Sequence, residues 1–208
     1  MTRVFLASRN PNKLEELQRI MSESVQGIEV LGLEGVPRYD EPAETEPTFE
    51  GNALIKARAG LAATGLPSLA DDSGLCVYAL NGMPGVLSAR WAGSAKDDRA
   101  NNALLLEQLQ DTPEHRRGAE FRCAVAFCLP GGKEQVAFGE MRGRVIRELR
   151  GSGGFGYDVL FVPEGGTRTT AEIPEAEKDA ISHRGRALRR IAPIVAAALH
   201  QDPTFELP

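Results

Sequence analysis

The sequence has few cysteines, few aromatic residues and no long apolar run. Its three cysteines lie in apolar or alternating stretches and lack the spacing of a metal site. We therefore expect reduced, buried thiols in a cytoplasmic protein, with a catalytic cysteine as the alternative. No stretch approaches the ~20 apolar residues of a membrane span. The apolar run near the N-terminus is too short for a signal peptide, so no membrane partner is expected.

A surplus of basic residues is also missing. The formal net charge is −5, which argues against broad, sequence-independent nucleic-acid binding. The charges are unevenly distributed, with six acids and one base in residues 34–50 but four arginines and one acid in residues 142–150. An acidic loop and a basic segment of this kind can together hold a metal ion and a polyanion.

The length of 208 residues suits one domain with a substantial core. Residues 119–129 alternate strictly, as in a half-buried strand, and residues 136–149 return as a second strand after a turn rich in glycine and proline. We expect a single domain over residues 1–208, with the hairpin at roughly 119–150 as a second lobe beside a mixed sheet.

Two adjacent carboxylates, Asp71 and Asp72, follow a short apolar stretch and precede a predicted Ser73-Gly74 turn. Consecutive strand residues point to opposite faces, so the two acids are expected to do different jobs, one structural and one facing a cleft. The alternative is an Asx-type turn, in which the carboxylates cap the backbone amides of Ser73 and Gly74.

The Walker phosphate-binding motif is absent from the sequence, but the N-terminal region offers another way to bind phosphate. A short strand at residues 4–7 precedes a polar turn and an amphipathic helix whose first turn suits Pro11. The free amides at such a helix start attract anions. Ser8, Asn10 and Lys13 would add a hydroxyl, an amide and an ammonium. The alternative is an ordinary helix cap with a solvated lysine.

A second helix is predicted from about Thr48 to Thr64. Asn52 and Lys56 lie four residues apart on one face of it, and they point either together into a cleft or into water. Carboxylates near the N-terminus of a helix are favoured by the helix dipole. Without other evidence, such side chains are expected to point into solvent. The carboxylates at this entrance are Glu44, Glu46 and Glu50.

A glycine-rich loop at residues 151–158 carries Phe155 and Tyr157. Glycines let backbone amides approach a ligand closely, and an exposed Phe can stack on a base. In the alternative interpretation both aromatic side chains return to the core.

The last helix is predicted to begin after Ser182, which serves as its cap. Lys178, His183 and Arg184 lie just before and at its start, where the helix dipole disfavours cations. An anionic or electron-rich group nearby would account for that placement.

Together these motifs resemble one family, the inosine triphosphate pyrophosphatases, also called XTP/dITP diphosphatases, which remove aberrant purine nucleoside triphosphates. The similarity covers nearly the whole chain, and the order and spacing of the motifs are what make it specific. The motifs are S-R-N-P-N-K at 8–13, E-T-E-P-T-F at 44–49, N-A-L-I-K-A at 52–57, ADDSGL at 70–75, GMPGVLSAR at 82–90, FGYD at 155–158 and EKDAISHRGRAL at 177–188.

The resemblance implies an α/β fold with a central mixed sheet flanked by helices, two lobes with an active-site cleft between them, and a homodimer. It also implies Mg²⁺-dependent hydrolysis of ITP, dITP and XTP between the α and β phosphates, giving a nucleoside monophosphate and pyrophosphate. Matched residue by residue, it implies Glu44 and Asp72 as metal ligands, with Asp72 also the proton acceptor. The implied substrate contacts are Ser8, Asn10, Lys13, Ser73, Phe155, Gly156, Tyr157, Asp158, Lys178, His183 and Arg184.

The sequence departs from the family pattern at three positions. Gly51 stands where many relatives have Glu, Glu46 replaces a glycine, and Val159 replaces a proline. The role of the carboxylate at position 51 is therefore lost or taken by Glu50.

The chemistry of the residues fits this reaction independently. Asp72 is the predicted base for the attacking water, and Lys13 and Arg90 are candidates for stabilising charge on the departing pyrophosphate, Arg90 being alternatively a structural ion-pair residue. N–H donors would select 6-oxo purines over adenine. The candidate donors are His183, Arg184 and loop amides near Phe155.

Two other functions remain as alternatives. One is a pyrophosphatase of related fold that acts on other nucleotides, such as modified pyrimidines. The other is a non-enzymatic nucleotide-binding protein in which the acids only fix a metal.

Overall fold

A computed structural model describes residues 2–24, 27–36 and 38–201. The helices are α1 (Pro11–Ser24), α2 (Phe49–Thr64), α3 (Asp98–Gln108), α4 (Glu175–Ile181) and α5 (His183–Gln201). The strands are β1 (Thr2–Leu6), β2 (Ile28–Leu31), β3 (Ser68–Val77), β4 (Gly118–Cys128), β5 (Glu134–Val145) and β6 (Phe161–Pro163).

The six strands form one sheet in the order β2-β1-β3-β4-β5-β6. Strand β1 pairs in parallel with β2 and β3, whereas β5 pairs antiparallel with β6. The sheet is therefore mixed and carries helices, which confirms the α/β class that the resemblance implies. Within the described ranges, no helix is both long enough and apolar enough to cross a bilayer.

The chain forms two compact units. The first contains the residues up to Asp72, residues 123–139 and the chain from Arg184 onward; the second contains residues 73–122 and 140–183. The division falls inside β3, β4 and β5, so each unit contains part of these three strands.

In the first unit, alternation along the strands separates two apolar layers. Val4, Leu6 and Leu69 belong to the layer that includes α1 and α5, whereas Phe5 and Ala70 belong to the layer that includes α2. The period of two residues continues past Ala70, so Asp71 falls on the α1 and α5 side and Asp72 on the α2 side. The sequence prediction that the two acids point to opposite faces is therefore confirmed, and their different roles stay a prediction.

The second unit has its own apolar core. It includes Leu105 and Leu109 of α3, Phe121 of β4, and Phe161 of β6, whose ring meets that of Phe121 edge to face at 4.7 Å between centroids. Tyr157 from the glycine-rich loop also belongs to this core.

The predicted Ser73-Gly74 turn is wrong, because both residues lie inside the continuous strand β3. The strand continues because the segment at 84–88 packs closely onto Gly74. A Cβ at that position would lie 2.3 Å from the carbonyl oxygen of Gly85 and 2.4 Å from Oγ of Ser88. Oγ of Ser88 also accepts a hydrogen bond from the Leu75 amide at 2.9 Å. Glycine serves here for close approach, not for a turn.

Candidate active site

Asp71 is the centre of a buried ion-pair network in the first unit. Its Oδ2 lies 2.8 Å from Nζ of Lys13 and accepts a hydrogen bond from Nε of Arg184 at 3.1 Å. The same guanidinium donates from Nη1 to Glu16 of α1. Burial alone would raise the pKa of the Asp71 carboxyl, but Lys13 and Arg184 hold it well below its usual range. Asp71 is therefore ionised and fixes the position of the Lys13 ammonium.

Arg184 is the buried cation whose placement the sequence left unexplained. Burial lowers the pKa of its guanidinium, yet Glu16 and Asp71 raise it above the ordinary value. The anionic group expected near the start of α5 is thus a pair of carboxylates from α1 and β3. Local patterns could not reveal Glu16, which lies 168 residues away from Arg184 in the chain.

Asp72 faces α2 and belongs to a second group of charges. Its Oδ2 accepts a hydrogen bond from Nδ2 of Asn52 at 3.1 Å, and its Oδ1 lies 3.6 Å from Nζ of Lys56. Lys56 also donates to Oε1 of Glu44 at 2.6 Å. The four-residue spacing of Asn52 and Lys56 was the sequence signal for this group, and the structure shows that both side chains are buried and contact Asp72.

The electrostatics of this group differ from those around Asp71. Burial and the neighbouring Glu44 carboxylate raise the pKa of Asp72 above its ordinary value, although Lys56 and Asn52 oppose them. Burial lowers the pKa of the Lys56 ammonium, but Asp72, Asp71 and Glu44 more than offset it, and the net shift is upward. Asp72 is thus a stronger base than an ordinary aspartate and lies beside a fixed positive charge.

The predicted phosphate-binding turn joins β1 to α1. Helix α1 begins at Pro11, as predicted, and Oγ of Ser8 accepts a hydrogen bond from the backbone N–H of Asn10 at 3.2 Å. Lys13 lies in the first turn of the helix, where its ammonium reaches Asp71. Ser8, Asn10 and Lys13 therefore lie around the start of one helix, as the motif predicts.

The second unit holds the glycine-rich loop in place through Asp158. One carboxylate oxygen of Asp158 accepts hydrogen bonds from the amide of Phe155 at 2.9 Å and from Nζ of Lys178 at 2.6 Å. The other accepts from Oγ1 of Thr170 at 2.7 Å. The Lys178 ammonium also lies 5.1 Å from the centroid of the Phe155 ring. Three of the predicted contact residues, Phe155, Asp158 and Lys178, therefore form one cluster.

The two aromatic residues of the loop have different environments. Tyr157 is buried, and its hydroxyl donates to the carbonyl of Ser88 at 2.9 Å, which matches the alternative of a return to the core. Phe155 is only half-buried and contacts Lys178. The ring that the structure presents at this loop is thus Phe155.

The other predicted residues of this unit are His183 and Ser73. The His183 ring stacks on Phe121, with centroids 4.8 Å apart and an interplanar angle of 12°. Ser73 is half-buried within β3, and Arg90 is half-buried at the end of the short 3₁₀ segment Gly85–Arg90.

Asp71, Asn52 and Lys56 were noted in the sequence but not predicted as site residues, and two further residues of these clusters were not noted at all. Thr170 and Glu16 contact the cluster residues only through the tertiary structure, and no spacing in the sequence marks either of them. Helix α4, which carries Lys178, was not predicted either, because its seven residues are too few to show a helical period.

Comparisons with known proteins place this arrangement in a family. Residues 4–194 match the model of the Ham1 family. A dITP/XTP pyrophosphatase of Nocardia farcinica is 61% identical over 95% of this chain and 96% of its own length. A crystal structure of a nucleoside-triphosphatase / dITP/XTP pyrophosphatase from Mycobacterium abscessus is 55% identical, covers 93% of this chain and all of its own, and superposes with a TM-score of 0.76. A HAM1 protein of Coxiella burnetii is 39% identical over 95% of this chain and 100% of its own, with a TM-score of 0.83. The chain belongs to the Ham1 family.

Proposed function

We propose that this protein hydrolyses the non-standard purine nucleoside triphosphates ITP, dITP and XTP between the α and β phosphates, giving the nucleoside monophosphate and pyrophosphate. The observation that carries the proposal is the group formed by buried Asp72 and Lys56 with half-buried Glu44, in which the Asp72 carboxylate, whose pKa is raised, lies beside a cation. The names of the relatives support two of these substrates, dITP and XTP.

Mg²⁺ fits the donor set. Glu44 and Asp72 both face the Lys56 ammonium, so two hard oxygen donors already converge on one cationic position. The part of the chain that the structure describes holds no group of three or more His, Cys, Asp or Glu side chains suited to a metal. Mg²⁺ needs no such group, because it is usually held by one or two carboxylates together with substrate phosphates and water. When bound, it would neutralise charge on the triphosphate.

The residues of the first unit then have distinct roles. Asp72 orients the attacking water and accepts its proton as the phosphoanhydride bond breaks. The Lys13 ammonium, held by Asp71, stabilises negative charge on the departing pyrophosphate. Lys56 holds the two carboxylates near each other, and Asn52 fixes the orientation of Asp72 through its side-chain amide.

Base selection is assigned to the second unit. The single N–H of the Phe155 amide already donates to Asp158, so we assign the contact with the 6-oxo group to side chains, Lys178 and His183. An ammonium has three donors, and one of those of Lys178 goes to Asp158. Adenine carries an amine at position 6, so ATP would place an N–H donor opposite the N–H donors of the protein. The Phe155 ring provides the stacking surface.

The first experiment measures pyrophosphate release from ITP, dITP, XTP, ATP, GTP and a modified pyrimidine nucleoside triphosphate, with Mg²⁺ and with excess EDTA. We expect fast release from ITP, dITP and XTP but not from ATP, and only with metal. GTP shares the 6-oxo group, so its turnover shows whether a second contact at the 2-amino position discriminates against it. Turnover of ATP comparable to that of ITP would contradict the account of base selection, and preference for modified pyrimidine nucleotides would favour the related-fold alternative. Nucleotide binding without turnover would indicate a binding protein.

We further propose a homodimer, as the family resemblance implies, and a cytoplasmic location. The three cysteines are free and buried, which supports a reducing compartment. Light scattering coupled to size-exclusion chromatography tests the dimer, and a monomeric mass at micromolar concentration would contradict it.

Two of the departures from the family pattern are physically linked. A Cβ on Gly51 would lie 2.5 Å from Cβ and 2.6 Å from Cγ of Glu46, so the Glu46 side chain occupies the space that a side chain at position 51 would need. The Glu46 amide also donates to Asn52, which in turn contacts Asp72. A side chain at position 51 would therefore displace the loop that carries Glu44.

Gly51→Ala is expected to lower kcat/KM for dITP about tenfold, since misplacement of a site by about 1 Å costs one to two orders of magnitude. Adding Glu46→Gly to this variant is expected to restore most of the activity, because it removes the atoms that clash. Steady-state kinetics of both single variants and the double variant test this. Equal activity of the Gly51→Ala single and double variants would refute the steric coupling.

A further inference from the structure

Two consecutive asparagines near the start of α3, Asn101 and Asn102, are buried, with 2% and 4% of their surface exposed. A buried amide side chain is costly unless it is hydrogen-bonded. Both side chains bind backbone outside their own helix, and Asn102 binds the glycine-rich loop described above.

Asn102 and Asp98 together hold both backbone polar groups of Gly156. The Gly156 amide donates to Oδ2 of Asp98 at 2.7 Å, and Nδ2 of Asn102 donates to the Gly156 carbonyl at 2.9 Å. Asp98 and Asn102 lie four residues apart, so they share one face of α3. Nδ2 of Asn102 also donates to the carbonyl of Asp98 at 2.7 Å, and this contact with two acceptors fixes which way the amide points.

Gly156 follows Phe155 directly, and the loop has little regular structure to fix it. Residues 151–156 include four glycines, and Gly156 itself has a φ of +62°. Such a segment loses much conformational entropy when it is ordered. The Phe155 amide is held by Asp158, so side chains bind three backbone polar groups of Phe155 and Gly156.

Asn101 likewise binds backbone polar groups, in the segment around Arg90. Its Nδ2 donates to the carbonyl of Ala89 at 3.2 Å, and its Oδ1 accepts from the amide of Ala92 at 2.7 Å. One side chain thus bridges the backbone on both sides of Arg90.

We propose that Asp98 and Asn102 are positioning residues for base recognition, because they fix the backbone of the loop that presents the Phe155 ring to the nucleotide. This rests on the proposed function. Neither residue touches the substrate; both act through Gly156. The base-binding site is therefore set by α3 as well as by the glycine-rich loop.

The test compares Asn102→Ala and Asn102→Asp with Gln108→Ala as the matched control. Gln108 lies at the end of the same helix and accepts one hydrogen bond from Nε1 of Trp91 at 2.8 Å, away from the loop. Asn102→Asp places a carboxylate oxygen against two carbonyl oxygens, which repel it. This variant is therefore expected to raise KM for dITP more than Asn102→Ala does. The readouts are KM and kcat for dITP, the inhibition constant of inorganic tripolyphosphate, and thermal melting.

Asn102→Ala is expected to raise KM for dITP about tenfold with kcat nearly unchanged, the pattern of lost uniform binding. Tripolyphosphate has no base, so its inhibition constant is expected to stay at the wild-type value. Asp98→Asn keeps an acceptor oxygen for the Gly156 amide and is expected to behave like wild type, whereas Asp98→Ala is expected to behave like Asn102→Ala.

An unchanged KM in Asn102→Asp, or a parallel loss of dITP and tripolyphosphate binding, would overturn the proposal in favour of a structural role. Calorimetric binding of dITP in EDTA separates this result from failure of the proposed function. If the wild type binds dITP without hydrolysing it, the same variants are compared by their dissociation constants, with the same expected tenfold change. A wild type that neither binds nor hydrolyses dITP would overturn both proposals.

Discussion

Asp72→Asn is expected to lower kcat for dITP at least ~100-fold, the scale for loss of one acid-base or electrostatic group. The substitution keeps the shape of the side chain and an oxygen that can accept from Nδ2 of Asn52. It removes the negative charge beside Lys56 and the capacity to take a proton from water. Lys56 keeps Glu44 as a partner, so the fold is expected to survive.

Single-turnover kinetics with dITP measure this effect, and circular dichroism checks the fold. Asp111→Asn serves as the control, because Asp111 is exposed and lies outside the site clusters. Turnover near the wild-type rate in Asp72→Asn would remove this carboxylate from the mechanism.

Arg184→Met is expected to lower the free energy of unfolding by about 3–5 kcal/mol, the range for removing one partner of a buried ion pair. Arg184 is 2% exposed and binds both Asp71 and Glu16. Without the guanidinium, two buried carboxylates lose a shared cation, although Lys13 remains beside Asp71. Methionine fills a volume similar to that of arginine, so the decrease in the free energy of unfolding reports the lost charge pairing more than lost packing.

Urea unfolding followed by circular dichroism tests this, with Arg58→Met as the matched control. Arg58 forms a bidentate pair with Glu134 at 2.6 and 2.7 Å, but the pair is exposed. Its loss is expected to change stability by less than ~1 kcal/mol. Equal losses of unfolding free energy in the two variants would contradict the view that burial makes the Arg184 ion pairs strongly stabilising.

The positions of Asp71 and Asp72 show what the sequence could predict about the site. Alternation along a strand is a local property, so it predicted different roles for the two acids. The same local reasoning failed at Ser73-Gly74, where a dipeptide typical of turns lies in the middle of β3. Contacts with Ser88 and Gly85, more than ten residues away, decide the conformation there.

The partners of the basic residues show where sequence reasoning stops. The placement of Arg184 at a helix start predicted a nearby anion, but nothing in the sequence selects Glu16 from the other acids. Likewise, the glycines of the 151–158 loop predicted close contact between its backbone and a ligand. In the structure, the side chains of Asp158, Asp98 and Asn102 bind backbone groups of this loop. The assignment of the substrate-contact residues themselves stays a prediction.

The three buried cysteines can report when the strands that carry them become exposed to solvent. Burial raises the pKa of all three thiols, to about 11 for Cys128, so little thiolate exists at neutral pH while β3 and β4 are intact. An alkylating reagent would therefore report the rate at which these strands become exposed, with no substitution needed to introduce a reactive group. Cys76 lies in the second unit and Cys123 and Cys128 in the first, so mass spectrometry of the labelled peptides would follow each unit separately.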